Sequence, residues 1–197
     1  MKIPRILISI IAVVLFTFAI KAEDSPKRYA NSGDFEISGG LSGAASRNST
    51  GLQRYDLSLL PFANHFLFNR VFLRYDLGLS FAYTRADYLI GGNMFSWSVS
   101  PGLAAGYSFE LSPVWYLNMS MGYGLVLFQS SYGDGTSSQA LTQHSIRAYP
   151  ELKYVINEKW SISALLQFAG NFVSPLNQVS NSFEVTTRMY IAAAYKL

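Results

Sequence analysis

The final stretch, Ser182 to Leu197 (SFEVTTRMYIAAAYKL), decides the fold. Taken in steps of two from the end, Leu197, Tyr195, Ala193, Ile191, Met189, Val185 and Phe183 are apolar or aromatic, with Thr187 the one departure. The intervening set, Lys196, Ala194, Ala192, Tyr190, Arg188, Thr186 and Glu184, carries every charge of the stretch. A period of two means a strand with one apolar and one wet face. A soluble strand ordinarily turns before reaching this length. A tilted membrane strand needs about 9–11 residues to cross hydrocarbon, and this stretch supplies them.

The opposite end of the chain points to export. Lys2 and Arg5 precede an apolar run from Ile6 to Ile20, and Lys21-Ala22 leads into Glu23-Asp24. A basic start, an apolar centre and a small residue at the cut predict a signal peptide over 1–22, cleaved after Ala22. A membrane anchor is the competing reading, but the run is short and no stop-transfer pattern follows. Residues 23–32, polar and containing Pro26, read as a periplasmic lead-in, and 33–197 as one barrel domain. The absence of Cys excludes disulfides and lipid attachment at cysteine.

Export also changes the charge. Of fifteen Lys and Arg, three (Lys2, Arg5 and Lys21) lie in the signal, leaving twelve against twelve acidic residues. The pI of about 9.1 therefore belongs largely to the signal. No basic stripe remains for nucleic acid, and none is expected as a partner. The composition is 15% aromatic and 14% charged, without a second long apolar run, which argues against a helical membrane protein.

Alternation recurs along the chain. Strands are expected at about 34–45, 54–67, 71–84, 95–107, 115–127, 146–156, 160–169 and 182–197. The third is the cleanest, with Val71, Leu73, Tyr75, Leu77, Leu79, Phe81 and Tyr83 set against Phe72, Arg74, Asp76, Gly78, Ser80, Ala82 and Thr84. Tight turns are expected at Phe68-Asn69-Arg70, at Glu110 to Pro113 and at Asn157-Glu158-Lys159. Longer polar loops are expected at 46–51, 86–93, 130–143 and 174–181. Eight strands, joined alternately by short and long connections, predict an all-β, antiparallel up-and-down transmembrane barrel. Closure removes the sheet edges that lipid cannot satisfy.

An internal repeat supports that count. Pro61 to Leu73 (PFANHFLFNRVFL) aligns without gaps on Pro150 to Ile162 (PELKYVINEKWSI), and Pro101 to Leu117 is a looser third copy. Each copy is a hairpin around a periplasmic turn, with Tyr107, Trp115, Tyr154, Trp160 and Tyr195 expected at the membrane interface. These hairpins and the terminal strand resemble the small outer-membrane barrel family that includes OmpX-like proteins and the OmpA membrane domain. The resemblance spans roughly 33–197 and implies a Gram-negative-type outer membrane, lipid contact, and assembly machinery that reads the terminal strand. Such strands usually end in Phe, whereas this one ends in Leu197. Members of that fold do different things, so the resemblance does not carry function.

The inward face is where chemistry would lie. It holds Arg54, Arg74, Arg147, Lys153, Arg188 and Lys196 against Asp34, Glu36, Asp56, Asp76, Glu151 and Glu184. Six cations and six anions predict mutual pairing in a packed polar lumen, because an unpaired buried charge costs several kcal/mol. Strands four and five contribute mainly Ser, Gly and Ala inward, leaving room for the long side chains. The alternative is a narrow ion path along Arg74, Arg147 and Arg188. A second alternative is an OmpW-like side passage for small apolar molecules, with Phe62, Phe66, Phe68 and Phe72 as its lining.

Catalysis is not expected. Lipid A deacylases of this size resemble barrels carrying a His-x-Ser pair, but His144 is followed directly by Ser145, which points the two to opposite faces. His65 has no such Ser and matches Tyr154 in the repeat. Gly133-Asp134-Gly135 reads as a loop tip rather than a calcium site. No cofactor, metal or catalytic residue is assigned. A monomer with a structural or surface-interaction role is expected, with a possible ligand at the outer loops. Tyr88, Leu89, Ile90, Met94 and Phe95 offer an apolar contact at the second loop, or the outer aromatic girdle.

Overall fold

The computed structural model describes residues 29–47, 52–85, 93–138, 140–173 and 183–197. The expected signal peptide and the lead-in up to residue 28 lie outside them, as do most of the first, second and fourth outer loops, Tyr88, Leu89 and Ile90 included. Eight strands follow in chain order: β1 Phe35–Arg47, β2 Gln53–Phe68, β3 Val71–Arg85, β4 Asn93–Glu110, β5 Trp115–Tyr132, β6 Leu141–Val155, β7 Trp160–Val173 and β8 Phe183–Lys196. Each pairs antiparallel with its sequence neighbours, and β1 with β8 closes the barrel. Among the described residues no helix is long and apolar enough to cross a membrane. The crossing is made by strands.

Alternation persists through the long strands because each has lipid on one side and the lumen on the other. Leu103, Tyr75, Tyr123, Met121 and Ile191 stand exposed on the outside, while Arg74, Tyr149, Leu165 and Tyr190 are buried inside. Water would not tolerate so large an apolar surface, and lipid requires it.

Strand ends are where sequence and structure part. The third outer loop is shorter than 130–143, because β5 continues to Tyr132 and β6 begins at Leu141. Polar residues there still ladder: Ser131 bridges Ser137, Tyr132 N–H donates to Thr136 O at 2.8 Å, and Asp134 accepts from Thr136 N–H at 2.9 Å. Above the membrane, hairpin pairing needs no apolar face, so Ser and Thr conceal it. Similarly Glu110 ends β4 rather than starting the turn.

The repeat has a structural counterpart. Pro61, Pro101 and Pro150 each pair on one side, with Gly39, Leu77 and Met119. On its other side each sits in a gap of the ladder, since proline has no N–H to offer. Two of the turns also match: Trp115 O and Trp160 O each accept two N–H groups, while Ser112 Oγ and Asn157 Oδ1 accept the Trp115 and Trp160 N–H. The first copy has Phe68 where those capping side chains stand. There the ladder shifts register between Phe66 and Phe68, Arg70 takes φ 70°, and the lead-in supplies the missing partners.

The described end of that lead-in, from Tyr29, is part of the barrel floor. Gly33 N–H donates to Phe66 O at 2.7 Å, Arg70 N–H to Ala30 O at 2.8 Å, and Ser32 N–H to Asn69 Oδ1 at 3.0 Å. Tyr29 is thereby held under the lumen, 9% exposed.

Candidate functional site

The lumen is filled over its periplasmic half by an ionic layer. Arg74 donates to Glu151, and Lys153 donates to Glu36 and lies 3.4 Å from Glu151. All four side chains are within 2% of full burial. Asn64 bridges them, accepting from Arg74 Nε at 2.9 Å and donating to Glu36 Oε1 at 3.0 Å. Arg74 also covers the Phe62 ring, 4.4 Å from its centroid. One level higher, Arg147 Nη1 donates to Asp76 Oδ1 at 2.7 Å and Nε to Ser145 Oγ at 3.2 Å, while Tyr149 OH donates to Asp76 Oδ2 at 3.2 Å.

The room for Arg147 comes from facing glycines. A Cβ at Gly102 would stand 2.7 Å from Arg147 Nη1, and one at Gly124 would stand 2.4 Å from its Cζ. Small inner residues on β4 and β5 are therefore a packing requirement of the arginine on β6.

Beneath the ions lies an aromatic floor. Tyr29 meets Phe66 at 5.4 Å and Tyr116 at 4.7 Å between ring centroids, and Phe66 meets Phe72 at 5.3 Å. Asn118 Nδ2 donates to Tyr29 OH at 3.3 Å, and Lys153 Nζ lies 5.1 Å from the ring centroid. Burial pushes the Tyr29 phenol pKa well above its ordinary value, so it stays neutral. Phe62, Phe66 and Phe72 thus fill the lumen instead of lining a passage, and Phe68, displaced by the bulge, is 67% exposed on the outside.

The extracellular half is different. Above Arg147 is a cavity of about 360 Å³, so the lumen is packed below and hollow above. Arg54, Asp56, Glu184 and Arg188, expected in the packed network, line it. Arg54 pairs with Asp56 at 2.9 Å with its side chain half exposed, Glu184 is exposed, and Arg188 Nη1 donates to Ser80 Oγ at 2.9 Å. Lys196 pairs with Asp34 at 3.3 Å, near the floor. Charge balance on the inner face identified the residues but not their partners, because the stagger of the strands sets which rows meet.

The aromatic residues expected at the interface gather at the periplasmic rim. Trp115 packs on Tyr154 at 5.0 Å, Trp160 on Tyr195 at 4.9 Å, and Tyr107 on Phe109 at 4.8 Å. Tyr154 differs in being 8% exposed, because Trp115 covers it. His65 lies against Phe35 at 5.8 Å. His144 hydrogen-bonds Tyr123 OH and stacks on Phe172 at 5.5 Å on the outer face, while Ser145 is buried on the inner face. The two form no nucleophile and base. At the third loop, hydrogen bonds from Thr136 hold the Asp134 carboxyl below its usual range. Met94 lines the cavity, whereas Phe95 is exposed on the outside.

No family model matches the chain, and no curated protein matches it. Solved structures do. The outer membrane protein OprG from Pseudomonas aeruginosa aligns with a TM-score of 0.56 at 13% identity, over 86% of this chain and 98% of that one. This chain has the fold of the small outer-membrane barrels. The attachment invasion locus protein Ail of Yersinia pestis, solved with the heparin analogue sucrose octasulfate, aligns with a TM-score of 0.54 at 14% identity, over 84% of this chain and 99% of that one. The apolar belt described above suits the same membrane.

Proposed function

We propose that this outer-membrane barrel works at its extracellular end, as a structural and surface-interaction protein, and that its lumen is not a through-pore. The reading rests on one observation: Arg74, Glu151, Lys153 and Glu36 fill the lumen at full burial, directly above the Tyr29 floor. Opening that layer would separate charges in a medium that penalises them heavily. The Ail structure, solved in complex with a heparin analogue, lends the reading precedent for a ligand bound to a barrel of this fold. Among the described residues no arrangement of groups supports catalysis, and the barrel is taken to act as a monomer without a cofactor.

Planar-bilayer recording of the refolded protein tests this. Silence, or rare small openings, is expected; steady ohmic current overturns the reading.

A second reading has one observation in its favour. β1 pairs with β8 over Glu36 to Leu41 alone, although β1 pairs with β2 as far as Arg47. The seam above Leu41 is a side opening for small apolar molecules in that reading. A hydrophobic dye that binds the refolded barrel, and is excluded when the seam is cross-linked between Gly43 and Met189, would favour it.

A further inference from the structure

We propose that the cavity above Arg147 binds a small hydroxylated molecule bearing one oxyanion group, such as a sugar acid. The inference rests on the closed-lumen reading, since only a cavity with a floor retains a ligand instead of passing it.

Arg147 is matched by Asp76 and Arg54 by Asp56, at 2.7 and 2.9 Å. Arg188 has no carboxylate within ion-pair distance among the described residues, and its hydrogen bond goes to the Ser80 hydroxyl. It enters the cavity between those two neutral pairs. Glu184 is the other lining charge without an ion pair among the described residues, but it lies four residues towards the rim, roughly 13 Å along the strand at about 3.3 Å per residue. The cavity is therefore positive at mid-depth and negative at its mouth. A guanidinium fork in such a place suits a carboxylate, sulfate or phosphate.

The remaining lining suits hydroxyl groups. Ser96 and Ser130 bond each other at 2.8 Å, and Ser98 and Gln143 face the same space. Asn171 lines it as well, offering a further side-chain amide. The volume of about 360 Å³ admits a monosaccharide-sized molecule.

The test is titration calorimetry on the protein refolded in lipid bilayers, with glucuronate, glucose and inorganic sulfate as separate probes. Glucuronate is expected to bind saturably, sulfate to compete with it, and glucose to bind at least about tenfold more weakly. Arg188→Gln should weaken glucuronate by about tenfold or more, with Arg188→Lys recovering part of the loss. Asn171→Ala gives an independent weakening should Arg188→Gln fail to regain its sheet spectrum. Absence of binding by glucuronate and sulfate, with the bilayer electrically silent, overturns this inference and leaves the closed barrel standing. Equal binding of glucose and glucuronate also overturns it. Steady current overturns the closed lumen and the site with it.

Discussion

Arg74 and Glu151, 77 residues apart in sequence, meet inside the barrel with both side chains at 0% exposure. Glu151 is shared with Lys153, which also holds Glu36. Glu151→Ala would leave Arg74 buried without its carboxylate and is expected to cost about 3–5 kcal/mol. Replacing both partners, Arg74→Met with Glu151→Leu, should cost less than the two single changes combined. Urea unfolding of the refolded proteins gives the coupling, and strictly additive losses would count against a shared ionic layer.

Tyr29 belongs to no strand, yet it closes the lumen. Tyr29→Ala removes a ring packed against Phe66 and Tyr116 and is expected to cost about 3 kcal/mol. Tyr29→Phe keeps the ring and loses the bond from Asn118, at about 1 kcal/mol. The Arg70 amide, which donates to Ala30 O, should exchange faster in the alanine variant. Unchanged exchange would mean that the lead-in docks independently of its tyrosine.

Gly122 faces Ala104 across the β4–β5 ladder. A Cβ there would stand 2.1 Å from Leu103 O and 2.4 Å from Ala104 Cα, atoms of the backbone that cannot step aside. Gly122→Ala should therefore destabilise by about 1–3 kcal/mol. Gly39→Ala, with nothing within 4 Å, should change stability by less than about 0.5 kcal/mol. Equal effects at the two sites would contradict the close approach of β4 and β5.

Leu103 is 51% exposed midway along β4, and Val185 is 65% exposed near the outer end of β8. If lipid surrounds the barrel, lysine at Leu103 should cost about 2–4 kcal/mol and lysine at Val185 about 0–1 kcal/mol. Folding equilibria in phospholipid vesicles measure the difference. Indifference at Leu103 would argue against a membrane belt at that height.

By itself the sequence determined the periodic features. Alternation in stretches such as Val71 to Tyr83 and Ser182 to Leu197 is local, because a strand turns successive side chains to opposite faces, and so the fold could be read without contacts. It also placed Arg74, Arg147, Lys153 and Glu151 on the inner face, where the structure buries them. Only the tertiary structure decided how they meet. Arg147 finds Asp76, 71 residues away, and Lys153 finds Glu36, 117 away, because the stagger between neighbouring strands sets which inner rows share a level. The same stagger leaves Arg188 beside Ser80, and the summed side-chain volumes of eight strands leave the upper lumen hollow. The insertion of Tyr29 is decided there too: its short polar segment has no periodicity to announce burial, and the space it fills exists only once the barrel has closed.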